Sequence, residues 1–138
     1  MKKHNTLDVV QTWLKAVNNR DNEGVIRSSD PDIEIGGPRG SGYGHQLLQD
    51  WLTHAHVSLE SLRTFARDDQ VVVAQHAVWR SVETGEVIGE ADVASQFRVK
   101  EGRVTQYARY DSLDEALEAA RLNYVDEIMP EKRNQIKE

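Results

Sequence analysis

Cysteine is absent from the 138 residues, which excludes disulfides, thiolate metal sites and cysteine nucleophiles. Long apolar runs are missing as well. Nothing approaches the roughly 20 residues that cross a bilayer as a helix, so no membrane partner is expected. The basic start, Met1-Lys2-Lys3-His4-Asn5, leads into an amphipathic segment and not into the apolar stretch of a signal peptide. A cytoplasmic location is the expectation that follows. Positive charge is scarce: 17 Lys and Arg stand against 23 Asp and Glu, a net charge of −6. Phosphate neutralisation needs a basic face, so nucleic acid is not an expected partner. Apolar residues make up only 38% and charged residues 29%, which fits one folded domain with a very polar exterior, or one partly covered by a second subunit.

What is present is ordered by period. Val9, Val10, Trp13, Leu14 and Val17 recur three and four apart and predict a helix over 7–18, with Thr6 or Asn5 as its cap. A short helix is expected over 22–28, ended by Pro31, and Asp32-Ile33-Glu34-Ile35 alternates as a strand. Residues 36–44 hold five of the nine glycines and read as a loop. Leu47, Leu48, Trp51, Leu52 and Ala55 give a third helix. Long strands follow at 58–67, 70–82, 87–100 and 103–111, two of their three links being the tight pairs Asp68-Asp69 and Glu101-Gly102. Ser112 and Glu115 frame a capping box for a closing helix over 113–122. Helices gathered before an antiparallel sheet define the α+β class. Residues 1–122 form the single domain expected, and 123–138 a polar C-terminal helix or tail.

This order resembles the nuclear transport factor 2-like superfamily and, within it, the SnoaL-like relatives of polyketide cyclases. The resemblance rests on Trp13 and Ala16 in the first helix, Pro31-Asp32 entering a strand, and the Gly-rich segment before Leu48 and Trp51. It continues through Gly102-Arg103-Val104 and the run Arg109-Tyr110-Asp111-Ser112-Leu113-Asp114-Glu115. It implies a cone-shaped half-barrel, a curved antiparallel sheet closed at one end by N-terminal helices, with an apolar pocket at the open end. It also implies a homodimer formed through the outer sheet face.

Strand alternation puts Thr105, Tyr107, Arg109 and Asp111 on one side of the last strand. Arg109 and Asp111 then stand about 7 Å apart, and a carboxylate beside a guanidinium suits a base or a water-orienting group. On the 70–82 strand the set Val71, Val73, Gln75, Ala77, Trp79 and the set Val72, Ala74, His76, Val78, Arg80 each mix apolar and polar groups, so alternation leaves open which faces inward. His76, the histidine in mid-strand, is a candidate for acid–base work. Trp13, Trp51, Tyr43, Phe97 and Trp79 are candidate pocket walls, with Arg39 and Tyr43 facing a ligand from the Gly-rich loop. His54 and His56 point apart on a helix and no HExxH pattern occurs, so no metal is expected; nor is any cofactor. The expected function is a small-molecule pocket protein acting on a small apolar cyclic compound as a cofactor-independent isomerase, cyclase or hydrolase. Asp111, Arg109 and His76 would supply its polar groups. The alternative is a non-catalytic ligand-binding or dimeric module.

Overall fold

A computed structural model describes residues 6–37, 40–54 and 56–128. The chain runs α1 (Thr6–Asn18), α2 (Asn22–Arg27), β1 (Ser29–Gly37), β2 (Gly40–Tyr43), α3 (His45–His54), β3 (His56–Arg67), β4 (Gln70–Arg80), β5 (Val87–Lys100), β6 (Arg103–Tyr110) and α4 (Leu113–Ala120), then a short 3₁₀ turn (Tyr124–Asp126). The strands form one six-stranded sheet ordered β2-β1-β6-β5-β4-β3. No described helix is long and apolar enough to cross a membrane.

The helical stripe of α1 buries Val10, Trp13, Leu14, Ala16 and Val17. Its last residue fixes the docking. The Asn18 side chain donates to the Leu59 carbonyl at 2.9 Å and accepts from the Leu59 N–H at 2.8 Å, pairing the helix end with β3 as another strand would. Asp21 then caps α2 by accepting from the Gly24 N–H at 3.0 Å. The chain departs from the expected pattern in two places here. The Gly-rich segment is not wholly loop, because Gly40–Tyr43 pairs antiparallel with β1. Glycine permits that hairpin: a Cβ on Gly36 would stand 2.5 Å from the Ser41 hydroxyl and 3.0 Å from the Gly40 carbonyl. Gly44, at φ +102°, turns the chain into α3. Second, the sheet is not purely antiparallel: β1 lies parallel to β6, with Glu34 opposite Gln106 and Ile35 opposite Tyr107.

The tight links between β3 and β4 and between β5 and β6 form as expected, with Asp68 and Glu101 both at positive φ. β4 stops at Arg80, short of the expected Val82, because Ser81 to Glu86 close a turn: Ser81 N–H donates to the Glu86 carbonyl and Gly85 N–H to that of Ser81.

Two apolar clusters sit on opposite faces of the sheet. The helix-covered concave face holds Trp13, Ile33, Leu48, Val71, Val73, Ala77, Phe97 and Tyr107, all buried. The other face is covered in part by α4, where Ala116, Leu117 and Ala120 pack on Phe65, Val72 and Ala94. Ser112 caps α4 by accepting from the Glu115 N–H, the half of the expected box that forms. The chain then returns along the outer edge of β3. Ile128 N–H donates to the Thr64 carbonyl at 2.8 Å and Arg63 grips Glu127 with two hydrogen bonds, so part of this exposed edge is paired.

Candidate functional site

Register decides which strand residues share the concave face. Across β4 and β5, Trp79 stands opposite Gly89, Ala77 opposite Ala91, Gln75 opposite Val93, Val73 opposite Ser95 and Val71 opposite Phe97. Across β5 and β6, Ser95 stands opposite Arg109 and Phe97 opposite Tyr107. Since Val71, Val73, Phe97 and Tyr107 pack on α1, the first of the two β4 sets faces inward, carrying Gln75 and Trp79 with it. The second set, with His76, faces out.

This divides the expected site residues. Trp13 and Phe97 are fully buried and do not face a ligand: Trp13 stacks on half-buried Trp51 and meets Phe97 and Tyr107 edge-on or tilted, with centroids 4.9 to 6.3 Å apart. The Trp13 indole N–H is satisfied by the Ser29 hydroxyl at 2.9 Å. These rings fill the closed end of the cone. Tyr43 pairs with Glu34, so it shares the face of Glu34 and Gln106, away from the interior, and it is exposed. Arg39 lies outside the described residues.

His76 is likewise brought to the wrong face for a pocket inside the cone. Its Nδ1 lies 2.8 Å from Asp92 and its Nε2 2.8 Å from Glu90. Both ring nitrogens face carboxylates, and both can donate only in the charged imidazolium. Its pKa is accordingly raised, by the hydrogen bond to Asp92 first and that to Glu90 second. This is a surface cluster on the outer face of the sheet.

Arg109 and Trp79 do meet. The guanidinium carbon lies 5.5 Å from the centre of the Trp79 ring. Their backbone positions are far apart, opposite Ser95 and Gly89 respectively. Six residues along β5 amount to about 20 Å of strand, a span the two side chains close only because the sheet is strongly curved. They therefore arch over Ala77, Gln75, Ala91 and Val93. Ala91 is exposed and Gly89 half-exposed, so the small residues under the arch mark the open mouth. Asp111 lies just beyond β6, exposed, two residues past Arg109. No ion pair joins it to Arg109, whereas Arg63 and Arg67 are held by Glu127 and Asp126.

Three buried polar residues at or beside the arch were not singled out from sequence: Gln75, Ser95 and Tyr107. Gln75 is 1% exposed and Ser95 0%. The Ser95 hydroxyl donates to the Gln75 Oε1 at 2.7 Å. With Oε1 facing Ser95, the amide nitrogen points away from that hydroxyl. Gln75 Nε2 is buried without any partner. Burial raises the Tyr107 phenol pKa, with the Ser95 side chain and the Arg109 charge pulling the other way. The one sequence signal was a glutamine set directly after the apolar run Val71-Val72-Val73-Ala74.

A separate groove of about 270 Å³ lies between α1 and β3, lined by Leu7, Val10, Leu14, Leu62, Val73 and Ile128 among others. Its one ionic side chain, Arg63, is already paired with Glu127, and the mouth carries the stronger chemistry. Among the described residues no three His, Asp or Glu side chains converge as a metal site.

The sequence matches no family model and no curated protein. Solved structures do match. One is an NTF2-like protein of unknown function from Cytophaga hutchinsonii, with a TM-score of 0.68 and 15% identity over 83% of this chain and 97% of that one. An LEH-like epoxide hydrolase from Mycobacterium tuberculosis scores 0.68 at 16% identity, covering 84% of this chain and 89% of that one. Another Mycobacterium tuberculosis protein, solved in complex with estradiol-17β-hemisuccinate, scores 0.67 at 18% identity, covering 79% and 95%. At these identities the likeness is one of fold.

Proposed function

We propose that this chain, whose fold is NTF2-like, takes a small and largely apolar cyclic molecule at the open mouth of its sheet and acts on it by cofactor-independent acid–base chemistry. The observation that carries the reading is the Arg109 guanidinium laid over Trp79 at 5.5 Å above a buried, unpartnered amide. An aromatic shelf with convergent polar groups at one end is how small-molecule sites are usually built. Trp79 supplies the ring contact, Arg109 orients, and Asp111 at the rim serves as base. His76 drops out, because a histidine on the outer face cannot reach a ligand held under the arch. The Mycobacterium tuberculosis protein of the same fold that was solved with estradiol-17β-hemisuccinate supports a cyclic ligand here.

The test has two stages. A thermal-shift screen of cyclic metabolites should find a stabiliser, since a ligand at a hundredfold excess over its Kd adds ~2.7 kcal/mol. Asp111→Asn should then abolish turnover of that compound while leaving the melting temperature unchanged; undiminished turnover refutes the role of Asp111. The filled interior favours a second reading, a non-catalytic homodimeric module. Apolar side chains at the β4–β5 tip, with Ile88 70% and Val82 53% exposed, add to it. That reading gains if no compound shifts the melt and sedimentation shows a dimer which Ile88→Lys dissociates.

A further inference from the structure

We infer that the mouth selects organic acids: a flat ring bearing a carboxylate, with the carboxylate shared between Gln75 and Arg109. This rests on the small-molecule reading above and adds the ligand's charge to it. The first support is the Gln75 amide. A polar N–H group taken from water without a partner costs free energy, and native proteins keep few of them. Gln75 Nε2 is such a group, held in place by the Ser95 hydroxyl at 2.7 Å on its other end. It is a donor, so what completes it is an acceptor.

The second support is independent of the first. Arg109 carries a full positive charge and makes no ion pair with a described residue, whereas Arg63 and Arg67 each hold a carboxylate. It is not left loose, because its guanidinium is seated on Trp79. A planar cation stacked on an aromatic ring keeps its N–H edge free for a bidentate acceptor. The third support is position. Gln75 stands opposite Val93 on β5, between Gly89, which faces Trp79, and Ser95, which faces Arg109. The orphan donor therefore lies beneath the span that the cation and the indole close. Under the span Ala91 is exposed and small enough to leave room for a ring.

Calorimetric titration of the full chain with 2-naphthoate and with its neutral counterpart 2-naphthamide tests the inference. Wild type should bind the acid at least tenfold more tightly than the amide. Arg109→Gln, a change at an exposed position, should erase that preference, and Gln75→Met should weaken the acid at least tenfold; melts of both variants confirm folding. Equal affinity for the two probes overturns acid selectivity and leaves the pocket standing. Naphthoate binding that is the same in all three proteins places the acid elsewhere and also overturns it. Failure of both probes to bind wild type removes the pocket reading together with the inference.

Discussion

Replacing Ser95 by alanine tests the buried polar pair directly. Ser95 and Gln75 are 0% and 1% exposed and bonded to each other at 2.7 Å. Ser95→Ala removes one hydroxyl and leaves the Gln75 amide with neither end partnered, which should cost about 1–3 kcal/mol. A chain of 138 residues has an unfolding entropy of about 0.3 kcal/mol/K, so the melting temperature should fall by about 3–10 °C. Gln75→Met keeps the volume and removes the orphan nitrogen, and the serine hydroxyl keeps the Tyr107 phenol beside it, so its loss should be smaller. The double variant removes both members of the pair and leaves only the buried Tyr107 phenol without its Ser95 neighbour, so it should lose less than the sum of the two single variants. Urea unfolding read at constant m-value measures all four proteins. If the two single losses simply add in the double variant, the residues are uncoupled and the reasoning about the site fails.

On the outer face, the raised His76 pKa means that its contribution to stability is present below about pH 6.5 and lost as pH rises through the higher folded value. NMR titration should place its midpoint above that of an unpaired histidine, and Asp92→Asn should lower it more than Glu90→Gln; a midpoint at or below the ordinary value refutes the cluster. Glu127 works with the opposite sign. Arg63 holds its carboxyl below the usual range, so its grip persists above the ordinary carboxylate value and is lost as pH falls through the lowered one. Glu127→Gln should therefore speed amide exchange at Ile128, whose N–H bonds Thr64, and unchanged exchange counts against this. Trp13→Ala, opening a hole among Trp51, Phe97 and Tyr107, should cost about 3–5 kcal/mol in the same urea assay; a loss under about 1 kcal/mol would mean that the closed end is not packed as described.

Much of the fold could be read from single residues because it rests on local periods. The α1 stripe from Val10 to Val17 buries one face and fixes a helix whatever surrounds it. The Asp68-Asp69 and Glu101-Gly102 links need positive φ and fix hairpins. The partner of β1 could not be read this way, since no local pattern announces a parallel pairing with a strand some seventy residues on. Nor did the Gly-rich segment show its hairpin. Its glycines serve close backbone approach at Gly36 and positive φ at Gly40 and Gly44, needs that resemble those of a loop.

The candidate site was half legible. Arg109 and Trp79, picked by type and spacing, do meet, but alternation could not orient β4. The cause is α4, which buries Val72 and Ala94 on the outer face, so both faces of the strand carry apolar residues. With orientation undecided, residue type alone favours His76 over Gln75, although Gln75 is the one buried under the arch and His76 is on the surface.

The parallel pairing of β1 with β6 has a consequence for how the chain comes to its structure. Ser28 accepts from the Val104 N–H and Glu34 lies opposite Gln106, so the first third of the chain is tied down by the last strand. Contacts of such long sequence separation slow folding, because the loop must close before the pairing rewards it. During synthesis β1 has no neighbour except the short β2 until β6 has emerged, and its other edge stays unmatched while β3, β4 and β5 can already pair as successive hairpins. Assembly then begins in the second half of the chain. The N-terminal helices that close the cone gain their full docking surface last, although they are made first.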